Sequence, residues 1–152
     1  MENILAQAKK VAEEAEAFLV SSEETTAQFE ANRLKHIQSK QSTSLALRIV
    51  RQGRLGYATT TELNDIQSLV DNAVATARFG MPARFELPSP ATYPRIDVFD
   101  PDIESTSAEK MIELGEELIA IVAEHTPDIL CEALVTKGVI SFQIINSRGG
   151  QA

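Results

Sequence analysis

Apolar positions along this chain change their period several times. Ile4, Leu5, Ala8, Val11, Ala12 and Ala15 recur at three- and four-residue steps, which predicts a helix with one apolar stripe ending near Ala15. Burying Ile4, Leu5 and Val11 is worth roughly 1.5–3 kcal/mol each, so packing of that stripe against a sheet is the main reason for the helix to persist. Residues 17–22 then read as a buried strand, while Ala27, Phe29 and Ala31 alternate with Gln28 and Glu30 as a half-exposed one. The two are expected to pair as a hairpin. The alternation slips at Asn32-Arg33, after which Leu34 and Ile37 fall three apart, and a bulge or bend is expected there.

The centre of the chain holds the clearest alternation. Leu45, Leu47 and Ile49 point one way and Ala46, Arg48 and Val50 the other; Arg51-Gln52-Gly53-Arg54 then reads as a turn into a returning strand over 55–59. Gly56 interrupts that strand. A glycine in such a place marks a bulge, a tight helix contact, or a backbone that a ligand or neighbour must approach closely. Thr60 or Thr61 can cap the next helix, whose Leu63, Ile66, Leu69, Val70, Ala73, Val74 and Ala77 form a stripe that Gly80 and Pro82 terminate.

Prolines at 82, 88, 90, 94 and 101 follow, so residues 81–106 are expected to run extended as a connector. Thr106 and Glu109 have capping-box spacing ahead of a third stripe of Met111, Ile112, Gly115, Leu118, Ile119 and Val122, which Pro127 stops. Residues 129–136 and 139–146 read as two strands joined at Lys137-Gly138. A helix followed by strand-like runs thus occurs over 2–40 and again over 107–149. The fold class is α+β: helices packed on a largely antiparallel sheet in two related helix-plus-hairpin lobes, 1–80 and 107–150, within a single domain. Asn146-Ser147-Arg148-Gly149 has the composition of a turn that leads into a partner strand, so the chain reads as the front piece of a longer protein.

Composition narrows the class without naming a function. A chain of this length buries roughly 68–70% of its unfolded surface, enough for a core without metal or disulfide staples. Hydrophobic content of 43% with 24% charged residues is ordinary for a globular domain, and no apolar run reaches the length of a membrane span. The lone Cys131 cannot form an internal bridge, and Met1-Glu2-Asn3-Ile4 lacks the pattern of a secretory signal, both of which favour a reducing cytoplasm. The net charge of -8 hides an asymmetry: residues 31–61 hold six bases and no acid, leaving 22 acids against 8 bases elsewhere. That stretch is either a basic surface for an anionic partner or a sheet face whose Arg and Lys discourage edge-to-edge pairing. Nucleic acid is not the expected partner, because duplex-binding domains carry overall positive charge and base-reading elements that are absent here.

Candidates for chemistry are few. His36 and His125 belong to no His-Glu pair of a helical zinc site, and neither has a third ligand near it in sequence. His36 reads as a polar sheet residue and His125 as a helix-end residue facing terminal carbonyls. Cys131, alternating with Ile129 and Ala133, reads as a packed thiol. There is no Gly-rich phosphate loop and no Gly-x-Ser-x-Gly turn. No catalytic or metal-ligating residue is assigned.

The order of opening helix, strand pair, Leu45-Ala46-Leu47-Arg48-Ile49-Val50, a Gly53 turn, Leu55-Gly56-Tyr57-Ala58-Thr59, a helix ending Ala73-Val74-Ala75-Thr76-Ala77, a proline-rich passage and a strand into Asn146-Ser147-Arg148-Gly149 resembles the N-terminal domain of the TldD/PmbA family, long labelled modulators of DNA gyrase. The PmbA (TldE) branch is the closer in appearance. The resemblance implies a cytoplasmic zinc metallopeptidase system, homodimeric or a TldD–TldE heterodimer, that cleaves unfolded peptides. It also implies a His-Glu-x-x-x-His metal motif in a C-terminal part, and nothing in this sequence matches that motif. On this reading the domain is non-catalytic and contributes to dimer assembly and the substrate cavity, with Arg48, Arg51, Arg54, Asn146, Ser147 and Arg148 as contact candidates. The alternative is a protein-interaction module that binds gyrase or another partner.

Overall fold

The computed structural model describes residues 1–152. The sheet has four strands, β1 (Glu14–Glu30), β2 (Arg33–Arg51), β3 (Arg54–Thr60) and β4 (Ala133–Asn146), in the order β3-β2-β1-β4 and antiparallel. Four helices accompany it: α1 (Glu2–Ala8), α2 (Ile66–Ala77), α3 (Pro101–Ser105) and α4 (Ala108–His125). This is the α+β architecture that the periodicities imply.

Several element boundaries differ from the sequence expectation. Helix α1 stops at Ala8, and Val11, expected in its buried stripe, is 38% exposed. Ala15 and Ala17 lie instead in β1, both fully buried. Residues 17–22 and 27–31 do not pair with each other, because β1 runs through them without a break. The slip at Asn32-Arg33 is itself the hairpin turn: Ala31 (φ 49°) and Asn32 (φ 65°) are both left-handed, the backbone of a two-residue turn whose twist suits flanking strands. Asn32 tolerates that conformation because its side chain is held, Oδ1 accepting from the Cys131 amide at 2.7 Å and Nδ2 donating to the Ile129 carbonyl at 2.7 Å. Lys137-Gly138 is not a turn, and β4 passes straight through it.

The second hairpin is as expected. Gln52 (φ 51°) and Gly53 (φ 68°) turn β2 into β3, which pair from Leu45↔Thr60 to Arg51↔Arg54. Helix α2 begins later than the threonines suggested: Asp65 is its cap, accepting from the Ser68 amide at 3.0 Å, and Leu63 lies outside the helix, 42% exposed. In α4 the cap is Ser107, whose Oγ accepts from the Lys110 amide at 3.2 Å.

By their contacts the residues group into two units. The first comprises Met1–Ser21, Ser42–Ile96 and Ser141–Ala152. Its core joins Ile4, Leu5 and Ala8 of α1 and Leu69, Val70, Ala73 and Ala77 of α2 to one sheet face, Ala15, Ala17, Leu45, Leu47, Ile49, Ala58 and Ile145. The contact is tight at Gly56, where an added Cβ would sit 2.1 Å from the Ala73 carbonyl oxygen of α2. Of the readings open for Gly56, a close helix contact is therefore the one the structure bears out. The second unit comprises Ser22–Gln41 and Asp97–Ile140, with Ala27, Phe29, Met111 and Ile119 as its core. There the Phe29 ring lies against the Gly115 backbone, 2.1 Å from where a Cβ would stand. Leu118, expected in the α4 stripe, is 48% exposed. No helix is long and apolar enough to cross a membrane.

Candidate functional site

The contact candidates fall into three places, all in the first unit. Arg48 lies in β2, beside a β1 carboxylate. Its Nη2 donates to Glu16 Oε1 at 2.5 Å, and its guanidinium stacks 5.0 Å from the centroid of the Phe85 ring. Glu16 is 8% exposed, so this pairing provides charge compensation that a buried carboxylate requires. Arg48 Nε is buried with no partner. Glu16, Phe18, Ala46, Arg48 and Tyr57 together line a cleft of about 150 Å³ on the sheet face opposite the helices.

Asn146, Ser147 and Arg148 act as an internal clamp. Asn146 is 6% exposed; its Oδ1 accepts from the amides of Arg148 and Gly150, each at 2.9 Å, and its Nδ2 donates to the Pro88 carbonyl at 2.9 Å. Ser147 Oγ accepts from the Ala15 amide at 3.0 Å. Arg148 Nη1 pairs with Glu86 Oε2 at 2.7 Å, and Nε stands 3.7 Å from Glu14 Oε1. The hydrogen bond and charge of Arg148 hold the Glu86 carboxyl below its ordinary range, and Glu86 in turn raises the Arg148 guanidinium. The turn does lead to a partner segment: the Ile144 amide donates to the Ala152 carbonyl at 2.9 Å and the Ala152 amide to the Ile144 carbonyl at 3.0 Å. Segment 85–87 thus receives both Arg48 and Arg148, at Phe85 and at Glu86 and Leu87 respectively.

Arg51 and Arg54 face a different place. They close the β2–β3 hairpin as direct cross-strand partners, and with Gln52, Val74, Ala77 and Arg78 they line a cleft of about 350 Å³. Arg54 Nη1 donates to the Gly80 carbonyl at 2.8 Å. The connector is stitched to this hairpin, the Leu55 amide donating to the Met81 carbonyl at 2.9 Å and the Ala83 amide to the Gly53 carbonyl at 2.8 Å. Sequence reasoning assigned no role to Arg78, because its neighbourhood with Arg51 arises only from the docking of α2. Part of the basic stretch is compensated by acids on β1, Lys35 by Glu30 and Arg48 by Glu16.

The remaining candidates carry no assembled chemistry. No group of three His, Cys, Asp or Glu side chains is placed to hold a metal ion. His36 is exposed in β2, and His125 Nδ1 meets Thr126 Oγ1 at 3.1 Å. Cys131 packs at the margin of the second core. The zinc that the family resemblance implies therefore has no fitting donor set among these residues.

Residues 15–77, covering most of β1, all of β2 and β3, and α2, match the family model for PmbA/TldA metallopeptidase domain 1. No curated protein matches the sequence. Among solved structures, TldE from Thermococcus kodakarensis superposes with a TM-score of 0.80 at 21% identity, over 99% of this chain and 37% of that one. A protein described as a candidate modulator of a DNA gyrase from Thermotoga maritima gives 0.85 at 16% identity, over 99% and 35%. Another so described, from Bacteroides thetaiotaomicron, gives 0.77 at 17%, over 99% and 36%. The chain thus spans 35–37% of the length of these solved proteins and shares their fold. Residues 15–77 thus match the first domain of the PmbA/TldA metallopeptidase family, and the chain as a whole shares the fold of these TldE and gyrase-modulator structures.

Proposed function

We propose that this chain is the non-catalytic first domain of a TldD/PmbA-type metallopeptidase acting on unfolded peptides, where it contributes to subunit assembly, homodimeric or TldD–TldE heterodimeric, and to the substrate cavity. The observation that carries the reading is the match of residues 15–77 to a metallopeptidase domain. One feature supports a scaffolding role. Strand β4 is a sheet edge with β1 as its only strand neighbour, and in the second unit its Leu134 and Ile140 are 65% and 67% exposed. Such an edge can accept an extended peptide by strand addition, which recognises backbone more than sequence and suits a protease of disordered substrates.

A second reading, an interaction module for gyrase, is favoured by the descriptions of two of the solved relatives as candidate gyrase modulators. The test uses the full-length protein and the 152-residue chain side by side, against an unfolded protein substrate and against gyrase. Cleavage by the full-length protein with none by the chain supports the first reading. Gyrase capture by a full-length protein that cleaves nothing supports the second, and chelator-sensitive hydrolysis by the chain alone overturns both.

A further inference from the structure

We propose that the cleft at the closed end of the β2–β3 hairpin docks an acidic polypeptide segment bearing an apolar anchor. Three arginines from three elements line it: Arg51 at the end of β2, Arg54 at the start of β3 and Arg78 capping the C-terminus of α2. Arg51 and Arg54 stand directly opposite each other in the register, an arrangement of like charges that destabilises a strand pair. Neither Arg51 nor Arg78 has an ion-pair partner. The carbonyl end of α2 supplies only about half an elementary charge against them. Glu13, just ahead of β1, brings one carboxylate to the turn, its Oε1 accepting from the Gln52 amide at 2.8 Å without forming an ion pair, so a single negative charge stands against the three arginines. The fold therefore leaves a net positive charge in a concavity of about 350 Å³.

The occupant's chemistry follows from what borders the arginines. Phe79 and Met81, flanking Gly80, are 91% and 75% exposed, and the hydrogen bond from Leu55 to Met81 fixes that segment beside Arg54. Aromatic, methionine and arginine side chains together are the composition of protein-recognition surfaces. A free phosphate would use the arginines and leave the apolar pair bare; a peptide with carboxylates beside a Leu or Phe uses both. This inference does not depend on whether the parent protein is a peptidase.

The probe is a short fluorescein-labelled Glu-rich peptide with a central Leu-Phe pair, titrated into the full chain and read by anisotropy, with a Glu-only peptide, a Lys-for-Glu counterpart and pyrophosphate as comparators. The Glu-rich Leu-Phe peptide is expected to bind, to weaken as salt is raised, and to lose roughly tenfold in affinity with Arg51→Ala or Arg78→Ala. Phe79→Ser is expected to weaken the Leu-Phe peptide and spare the Glu-only one. In the free chain Arg51→Ala is expected to raise the melting temperature, because it relieves the repulsion with Arg54, a result that a purely structural arginine would not produce. Unchanged affinity in Arg51→Ala/Arg78→Ala, equal binding of the Lys-rich peptide, or displacement by pyrophosphate at concentrations as low as the peptide's would each overturn the proposal.

Discussion

Gly56→Ala tests the packing on which the first unit rests. The added methyl would lie 2.1 Å from the Ala73 carbonyl oxygen, 2.8 Å from Ala77 Cβ and 3.0 Å from Ile49 Cγ1. The nearest of these belongs to helix backbone, so it cannot be relieved by a side chain swinging away; α2 must lift from β3. Overpacking of this kind costs roughly 1–3 kcal/mol, and a backbone obstacle puts the substitution at the upper end. At about 2–4 °C per kcal/mol for a chain of this size, the melting temperature should fall by about 6–12 °C. Gly53→Ala is the control for backbone conformation alone: no atom lies within 4 Å of the new methyl, but φ is +68°, for a cost of about 1–2 kcal/mol. Gly138→Ala meets only the Glu23 carbonyl at 3.7 Å and should be neutral or slightly stabilising. Urea unfolding followed by tyrosine fluorescence reports the first unit selectively, because both tyrosines, Tyr57 and Tyr93, lie there and the chain has no tryptophan. A Gly56→Ala protein as stable as Gly138→Ala would refute the close-contact explanation and restore the alternative of a ligand approaching that backbone.

Asn146→Ala removes three hydrogen bonds and strands the buried Gly150 amide, for about 2–4 kcal/mol. Asn146→Asp keeps the acceptor for the Arg148 and Gly150 amides but sets a buried carboxylate oxygen against the Pro88 carbonyl, so it too destabilises. The Gly150 amide keeps its partner there and should exchange faster in the alanine variant than in the aspartate one when the two are compared relative to global stability. Arg48→Met leaves Glu16 buried without its cation; because Arg48 is 42% exposed, the loss is discounted to about 1–2 kcal/mol, and Glu16→Leu in the same protein should recover most of it in a double-mutant denaturation cycle. Asp65, Glu86 and Glu109 are held below their ordinary values, by the Ser68 hydroxyl and amide, by Arg148, and by the Glu109 amide with Ser107, respectively. Their folded values lie below their unfolded ones, so their stabilisation is complete above the ordinary carboxylate range and is lost as pH falls through the depressed folded values. Melting temperature should therefore decline from these groups only in acid, and Arg148→Gln should remove the Glu86 share of that decline.

Local chemistry was enough wherever a segment's fate depends on its own residues. The alternation Leu45, Leu47, Ile49 and the Gln52-Gly53 turn specify the second hairpin, since a two-residue period with a glycine able to take positive φ leaves few alternatives. The α2 stripe and the family's strand segments were legible for the same reason. Elsewhere tertiary packing decided. Ala8, Ala12 and Ala15 continue a helical period, yet Ala15 and Ala17 become strand because a buried sheet position beneath helices requires small side chains, and that burial outweighs alanine's preference for helix. Ala31-Asn32 lacks a glycine and becomes a turn because Asn32 donates to the Ile129 carbonyl and accepts from the Cys131 amide, about a hundred residues away. The same holds for the site: Arg51 and Arg54 announce themselves as neighbours across a turn, whereas Arg78 joins them, and Asn146 and Arg148 turn inward, only because segments distant in the chain fold against one another.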